Sequence, residues 1–300
     1  MNELLKQYIN KDVLFHFVEL IHDLKIEKAT VTIFDFNLWD TLINMELNRL
    51  IPFVELRPGV LVTHDAEKKK FIEKALLFAK KEKSIVAVKK PMINLETTMG
   101  SFEHIKNDGA DIRIVDNILD AMVIASKKRR NNVMYVTDGY EDEALITAAG
   151  LAKAKTVGFR RFFVYQNHLN TASLIKKEAE NGNDHHGFLI GLKTGLNTGM
   201  EAYADIPLIY QKGVVISGYE AMEIMQSIYL LLEQMTTKQP RILFQRTKEV
   251  SEEVTQRARW MMDEVFKPED FALSNGEIIS NGHYAINEKY AAFDGCRLLN

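Results

Sequence analysis

The sequence predicts an α/β protein with two tandem lobes, each built on a four-stranded parallel sheet, followed by a small C-terminal α+β segment. Short apolar and β-branched runs, such as Ala29–Phe34 and Val133–Val136, alternate with segments whose apolar residues recur at helical spacing. This alternation continues over residues 29–218 and is typical of parallel strands joined by crossover helices. The polar stretch 126–132 separates the strands into two groups of four.

The elements follow in order along the chain. Residues 1–28 form an N-terminal helical segment, because apolar residues between Val13 and Leu24 fall on one stripe. The first lobe, 29–130, has predicted strands at 29–35, 52–56, 84–88 and 110–115. The second lobe, 131–218, has predicted strands at 133–138, 161–165, 187–191 and 213–218. Residues 219–300 hold a reduced C-terminal domain with a return helix at 219–236 on the first lobe, a strand at 242–244, a helix near 249–266, and Asn-Gly turns at 275–276 and 281–282.

Composition excludes several classes of protein. Hydrophobic residues make up 46% and charged residues 26%, which are globular values. With 38 basic and 41 acidic residues the chain has a net charge of −3, which favours neither nucleic acid nor a membrane surface as a partner. The N-terminus lacks the pattern of a signal peptide, so a cytoplasmic location is expected. The single cysteine, Cys296, excludes an internal disulfide and a cysteine-rich metal site, so no metal and no cofactor are expected.

Candidate binding residues lie where the predicted strands end. In parallel sheets, ligands bind beyond the carboxyl ends of the strands. Two lobes that face each other would place these ends around one cleft. The candidates are Asp35, Asp40, Lys90, Asp138, Glu141, Asn167, His168, Lys193 and Glu220. Two other motifs are interpreted as solvated surface: the pair His185-His186, whose adjacent side chains point to opposite faces, and the basic run 127–130.

Several stretches of this sequence match the motifs of one known family. The first is Gly109-Ala110-Asp111-Ile112-Arg113-Ile114-Val115, followed by Leu119-Asp120-Ala121. Others are Gly139-Tyr140-Glu141, Asn167-His168, and Val214-Val215-Ile216-Ser217-Gly218-Tyr219-Glu220. In these stretches the sequence resembles the HypD family of hydrogenase maturation proteins. The resemblance covers about residues 12–295 and implies two Rossmann-like lobes and a third domain.

The resemblance also implies a chemistry that this sequence does not match. HypD proteins carry an iron with cyanide and carbon monoxide ligands, act with the small partner HypC, accept cyanide from HypE, and hold a [4Fe–4S] cluster on C-terminal cysteines. Here the family's cysteine after the first strand falls on Asp35, or on Phe36 if the alignment slips by one. The stretch 57–63 lacks two further family cysteines, and 191–195 lacks a family histidine. Carboxylate and hydroxyl groups do not replace thiolates as ligands of such an iron.

The sequence therefore favours a HypD-like scaffold or binding protein that is related to [NiFe]-hydrogenase maturation but has lost iron–cyanide and iron–sulfur binding. Its expected partners are a small HypC-like protein or other assembly factors. Two alternatives stay open. The chain is a genuine maturation factor acting with HypC- and HypE-like partners, or it is an enzyme whose cleft has acquired acid/base chemistry from the candidate residues.

Overall fold

The computed structural model describes residues 11–45, 47–59, 65–139, 141–180, 182, 185–245 and 252–299. The helices are α1 Lys11–Asp23, α2 Phe36–Met45, α3 Leu47–Leu50, α4 Asp65–Ala79, α5 Phe102–Asn107, α6 Ile118–Lys127, α7 Glu141–Val157, α8 Thr171–Glu180, α9 Leu192–Thr198, α10 Asp205–Ile209, α11 Ala221–Thr237, α12 Glu252–Val265 and α13 Cys296–Leu299. The strands are β1 Ala29–Phe34, β2 Val54–Pro58, β3 Ser84–Lys89, β4 Ile112–Val115, β5 Asn132–Gly139, β6 Phe162–Leu169, β7 Gly187–Gly191, β8 Gly213–Ser217, β9 Ile242–Phe244, β10 Phe266–Ala272 and β11 Ile278–Ile286.

The predicted fold class is confirmed, with a small difference in strand count. One sheet has five strands in the order β2-β1-β7-β8-β9, and the other has six in the order β10-β11-β6-β5-β3-β4. All neighbours in the first sheet are parallel, as are β4, β3, β5 and β6 in the second. The counts are therefore five and six rather than four and four.

The assignment of strands to the two sheets differs from the prediction. The chain forms two compact units: unit A takes Met1–Thr63 and Thr171–Gln256, and unit B takes His64–Asn170 and Arg257–Asn300. Of the four strands predicted for the first sheet, 29–116, β3 and β4 lie in unit B. Of the four predicted for the second sheet, 132–218, β7 and β8 lie in unit A. The reason is that a buried parallel strand is apolar on both faces, so its periodicity does not specify which neighbour it joins.

In unit A the core lies between the five-stranded sheet and the helices α1, α2 and α11. Ile33, Leu189 and Val215 on three adjacent strands pack with Ile228 and Leu232 on α11. The helix predicted to return onto the first lobe packs on β8, β7 and β1.

In unit B the sheet is covered on both sides. Helices α4 and α5 pack on one face, and α6, α7 and α12 pack on the other. The C-terminal segment is not a separate domain. Helix α11 and strand β9 belong to unit A, the second half of α12 packs in the core of unit B, and the antiparallel pair β10–β11 extends the sheet of unit B beside β6.

One predicted turn lies inside a strand. Asn275-Gly276 falls between β10 and β11, as predicted, whereas Asn281-Gly282 lies within β11. There the strand register shifts between Glu269 and Phe271, and Asn281 has a φ of 53°. Its N–H donates to Asp270 Oδ1, which identifies a β-bulge. An Asn-Gly pair provides the positive φ that a bulge needs as well as the one that a turn needs.

None of the helices formed by the described residues is both long enough and apolar enough to span a bilayer.

Candidate functional site

The candidate residues fall into two groups, which are described one unit at a time. Unit A contains Asp35, Asp40, Lys193 and Glu220, and unit B contains Lys90, Asp138, Glu141, Asn167 and His168.

Asp35 is a buried carboxylate that starts a helix. It follows β1 directly and is only 3% exposed. Its Oδ1 accepts hydrogen bonds from the N–H groups of Asn37, at 2.8 Å, and Leu38, at 3.0 Å. These are the bonds of an N-cap residue, which satisfies donors that the first turn of a helix leaves free. Burial raises the pKa of Asp35 more than these hydrogen bonds lower it.

The second oxygen of Asp35 is held by a residue that was not among the candidates. The hydroxyl of Tyr219 donates to Asp35 Oδ2 at 3.1 Å and accepts the N–H of Lys193 at 3.3 Å. The ammonium of Lys193 lies 5.9 Å from the centre of the Tyr219 ring, and its charge lowers the pKa of Asp35. Tyr219 comes shortly after the end of β8. This position, beyond the carboxyl end of a predicted strand, is the sequence signal that could have identified it as a site residue.

Gly191 completes this group at the end of β7. A Cβ on this glycine would lie 1.9 Å from Asp35 Oδ2 and 2.7 Å from the Tyr219 hydroxyl. No side chain fits there, so the glycine is required by the close approach of the carboxylate. The ends of β1, β7 and β8 therefore meet at a closed contact around Asp35.

Three of the predicted candidates lie outside the clusters of contacts at the strand ends. Asp40 is exposed on α2, where its backbone carbonyl accepts the side chain of Asn44. Glu220 is exposed at the N-cap of α11, and its N–H donates to the carboxylate of Glu223 at 3.1 Å. Lys90 is exposed in a short 3₁₀ helix. All three residues are exposed on the surface of their units.

In unit B, acidic residues after β5 are paired with lysines. Asp138 contacts Lys68 at 2.9 Å, and Glu143 accepts a hydrogen bond from Lys89 at the end of β3. Asn167 on β6 lies opposite Asp138 in the sheet register. The structure therefore brings the ends of β3, β5 and β6 together in a charged but neutralised group.

Glu141 is the most buried of the acidic candidates, with 1% exposure at the first turn of α7. The hydroxyl of Tyr284 on β11 donates to its Oε1 at 3.5 Å. A carboxylate in this position is stabilised by the N-terminal end of the helix dipole.

His168 lies fully buried opposite Gly139 in the strand register. Its Nε2 lies 3.1 Å from Thr147 Oγ1, and its Nδ1 has no hydrogen-bond partner among the described residues. Burial lowers the pKa of His168 to about 3, the charge of Lys89 acts in the same direction, and the nearby backbone of Gly139 acts in the opposite direction. The ring is therefore neutral at pH 7 and can accept a proton only at a large cost.

His185-His186 lies in a loop, as predicted, but both residues are half-buried rather than solvated. His186 Nδ1 accepts the N–H of Thr30 at 3.0 Å, and His185 Nδ1 lies 2.7 Å from Thr32 Oγ1. His185 is also 3.6 Å from the buried carboxylate of Glu178. The two rings do point in different directions, but both of them meet polar groups of unit A, because β7 enters the sheet beside β1.

Comparison with known proteins places the chain in a family. The family model "HypD: Hydrogenase formation hypA family" matches residues 42–300. This chain belongs to the HypD family. Recognition of that family from the sequence is confirmed.

The curated relatives are distant and longer. A putative hydrogenase expression/formation protein of Methanocaldococcus jannaschii is 25% identical over 189 residues, which are 63% of this chain and 53% of the relative. Hydrogenase maturation factor HypD1 of Bradyrhizobium diazoefficiens is 24% identical over 232 residues, 74% of this chain and 61% of the relative. Hydrogenase maturation factor HypD of Cupriavidus necator is 28% identical over 169 residues, 54% of this chain and 45% of the relative. The chain thus spans about half the length of the HypD relatives it matches.

The residues in unit A do not fit the iron group that the HypD resemblance implies. The resemblance places the family's first cysteine on Asp35, or on Phe36 if the alignment slips by one, and the oxygens of Asp35 already accept two N–H groups and the Tyr219 hydroxyl. A carboxylate is also a hard ligand, whereas cyanide-bound iron is held by soft thiolates. The geometry at Asp35 supports a structural role for this carboxylate.

Proposed function

We propose that this HypD-family chain is a non-catalytic scaffold or binding protein related to [NiFe]-hydrogenase maturation, and that it does not hold iron–cyanide or iron–sulfur groups. The observation that carries the proposal is the closed contact of Asp35 with Tyr219 and the first turn of α2. A group that binds iron needs an electron pair directed to open space, and this carboxylate directs its oxygens to protein donors.

The lone cysteine supports the same proposal. Desolvation, together with the neighbouring carboxylate of Asp294, raises the pKa of the Cys296 thiol to about 12. The thiolate is the form that binds metals, and it is scarce at neutral pH for such a group. A single cysteine also provides one of the four thiolates that a [4Fe–4S] cluster takes.

The maturation role rests on family membership, and its partners are expected to be assembly factors. The family resemblance suggests a HypC-like protein as the partner. For a chain with such a partner we propose a cytoplasmic location.

The experiment is anaerobic purification after co-expression with hydrogenase maturation proteins, with the HypD of Cupriavidus necator as a matched positive control. We expect iron well below one equivalent and no infrared bands of cyanide or carbonyl ligands in this chain. About one equivalent of iron together with those bands would overturn the loss of iron binding.

The scaffold role needs a separate measurement. We expect the HypC-like protein of the same genome to form a complex with this chain in size-exclusion chromatography with light scattering. Complex formation without iron supports a scaffold. Two separate peaks at micromolar concentrations would contradict the proposed partner, even if the iron result is as expected.

A further inference from the structure

A pocket on unit B, away from the strand ends, is bordered by three arginines. The arginine pocket is lined by Ser126, Arg129, Val157, Phe159, Arg160 and Arg161, among others, and has a volume of about 430 Å³. It lies where α6 and α7 end, because Ser126 is in the last turn of α6 and Val157 is the last residue of α7. From the sequence, Arg129 was predicted to belong to a solvated basic run, and no role was predicted for Arg160 or Arg161.

The arginines of this pocket carry uncompensated charge. No carboxylate among the described residues lies within ion-pair distance of Arg129, Arg160 or Arg161. Arg129 donates to the carbonyl of Ser126 at 3.3 Å, and Arg161 donates to Asn132 Oδ1 at 3.3 Å. Arg160 makes no hydrogen bond to any residue that the structure describes. Positive charges near the carboxyl end of a helix are favourable, and Arg129 and Arg160 follow the ends of α6 and α7. This position does not occupy their hydrogen-bond donors with a carboxylate.

An exposed apolar stripe leads to the same pocket. Leu119 and Val123 are 40% and 50% exposed on α6, and Ser126 follows them on the same face at helical spacing. At 1.5 Å per residue the stripe is about 10 Å long. Val157, 62% exposed, continues the apolar surface at the pocket itself. An apolar stripe that ends in a group of guanidinium groups is complementary to a chain segment with apolar side chains and carboxylates.

We propose that the α6 stripe and the arginine pocket form a docking surface for an acidic, apolar segment of a protein partner. The segment places Leu-, Ile- or Phe-like side chains on Leu119, Val123 and Val157, and Asp or Glu carboxylates on the arginines. Guanidinium groups bind carboxylates through paired hydrogen bonds, which gives orientation as well as affinity. The proposal is independent of iron binding, because none of these residues belongs to the strand-end groups.

The protein segment is favoured over nucleic acid by the surface around the arginines. Single-stranded nucleic acids are bound through a positively charged groove with exposed aromatic rings for base stacking. Here the exposed side chains of the stripe are aliphatic, Phe159 is half-buried, and the chain carries a net charge of −3.

The test is selection of random twelve-residue peptides displayed on phage against the biotinylated full chain. We expect enriched peptides to combine Asp or Glu with large apolar residues. An enriched peptide, synthesised with a fluorescent label, is then titrated by anisotropy at 0.15 M salt, where charges farther than about 8 Å are screened. Arg160→Glu should weaken binding at least tenfold and Val157→Ser about threefold.

Arg130→Glu is the matched control, because Arg130 is an exposed neighbour in the same basic run that does not line the pocket. It should change the dissociation constant less than twofold, and thermal unfolding should show that all variants fold. Enrichment of peptides without acidic residues, or equal binding to Arg160→Glu, would overturn the proposal. It would also be overturned if a twelve-nucleotide single strand bound more tightly than the peptide through Arg160.

Discussion

The hydroxyl of Tyr219 donates a 3.1 Å hydrogen bond to Asp35, which joins the end of β8 to the end of β1 across 184 residues of sequence. This bond and the two N–H groups of α2 leave the Asp35 carboxylate fully engaged. The family resemblance places a cysteine at Asp35, or at Phe36 if the alignment slips by one. At Asp35 the structure has a carboxylate that caps a helix.

Asp35→Asn is expected to cost less stability than Asp35→Ala. Asparagine caps helices as well as aspartate does and has no charge to bury, whereas alanine loses the cap at a cost of about 0.5–2 kcal/mol. The measurement is urea unfolding at pH 7. Equal losses for the two substitutions would contradict a capping role.

The same pair of proteins should show a pH dependence. Because the pKa of folded Asp35 lies above that of the unfolded chain, the folded wild type binds more protons in the window above pH 3.8. Its stability relative to Asp35→Asn should therefore rise as the pH falls through that window. A relative stability that stays constant with pH would show that burial does not raise this pKa.

Gly191→Ala should destabilise unit A through the contact with Asp35. The added Cβ would lie 1.9 Å from Asp35 Oδ2, and overpacking of this kind costs about 1–3 kcal/mol. The cost should be smaller when the substitution is made in the Asp35→Ala background, because the clashing carboxylate is gone. A double-mutant cycle based on urea unfolding measures the interaction energy between the two substitutions. Additive effects would show that Gly191 and Asp35 do not interact.

His168 should make the protein sensitive to acid. Its folded pKa of about 3 lies below the ordinary histidine value of 6.5, so the unfolded chain binds the extra proton first. Stability from this group is present above pH 6.5 and is lost as the pH falls toward 3, by about 4–5 kcal/mol at most. His168→Asn should flatten the stability profile over that range.

His16→Gln is the control for this experiment, since His16 is exposed. As a substitution on the surface, it should change the free energy of unfolding at pH 7 by less than about 0.5 kcal/mol. If His168→Asn kept the wild-type slope, the acid sensitivity would have to come from other groups.

Glu141 and Glu220 should differ in their contribution to stability. Glu141 is buried and accepts from the half-buried Tyr284, so its replacement by alanine removes a hydrogen bond and buried side-chain contacts, at a cost of about 1–3 kcal/mol. Glu220 is exposed, and Glu220→Ala should cost about 0.5–1 kcal/mol as the loss of a cap residue. Chemical denaturation of the two variants under identical conditions makes the comparison. Equal losses would mean that burial of Glu141 contributes nothing beyond its place at a helix start.

The positions of the helices and strands follow from local patterns, and the sequence predicted most of them. Apolar spacing is set by the helix and strand repeat, so β7 and β9 were predicted at their observed bounds and α11 within two residues. The family was also recognisable from short stretches of residues. Local sequence was misleading at Asn281-Gly282, where a bulge and a turn need the same backbone angles.

Two identical tripeptides show what the sequence determined and what the tertiary structure decided. In Gly139-Tyr140-Glu141 and in Gly218-Tyr219-Glu220, the sequence predicts that each glycine ends a strand and that a helix follows each glutamate, because turn and strand signals are local. Only the tertiary structure decided that Glu141 is buried beside β11 while Glu220 faces solvent. It also gave Tyr219 its partner, Asp35. The physical reason is that burial and hydrogen bonding depend on which distant strand becomes the neighbour, and an apolar parallel strand carries no local record of that choice.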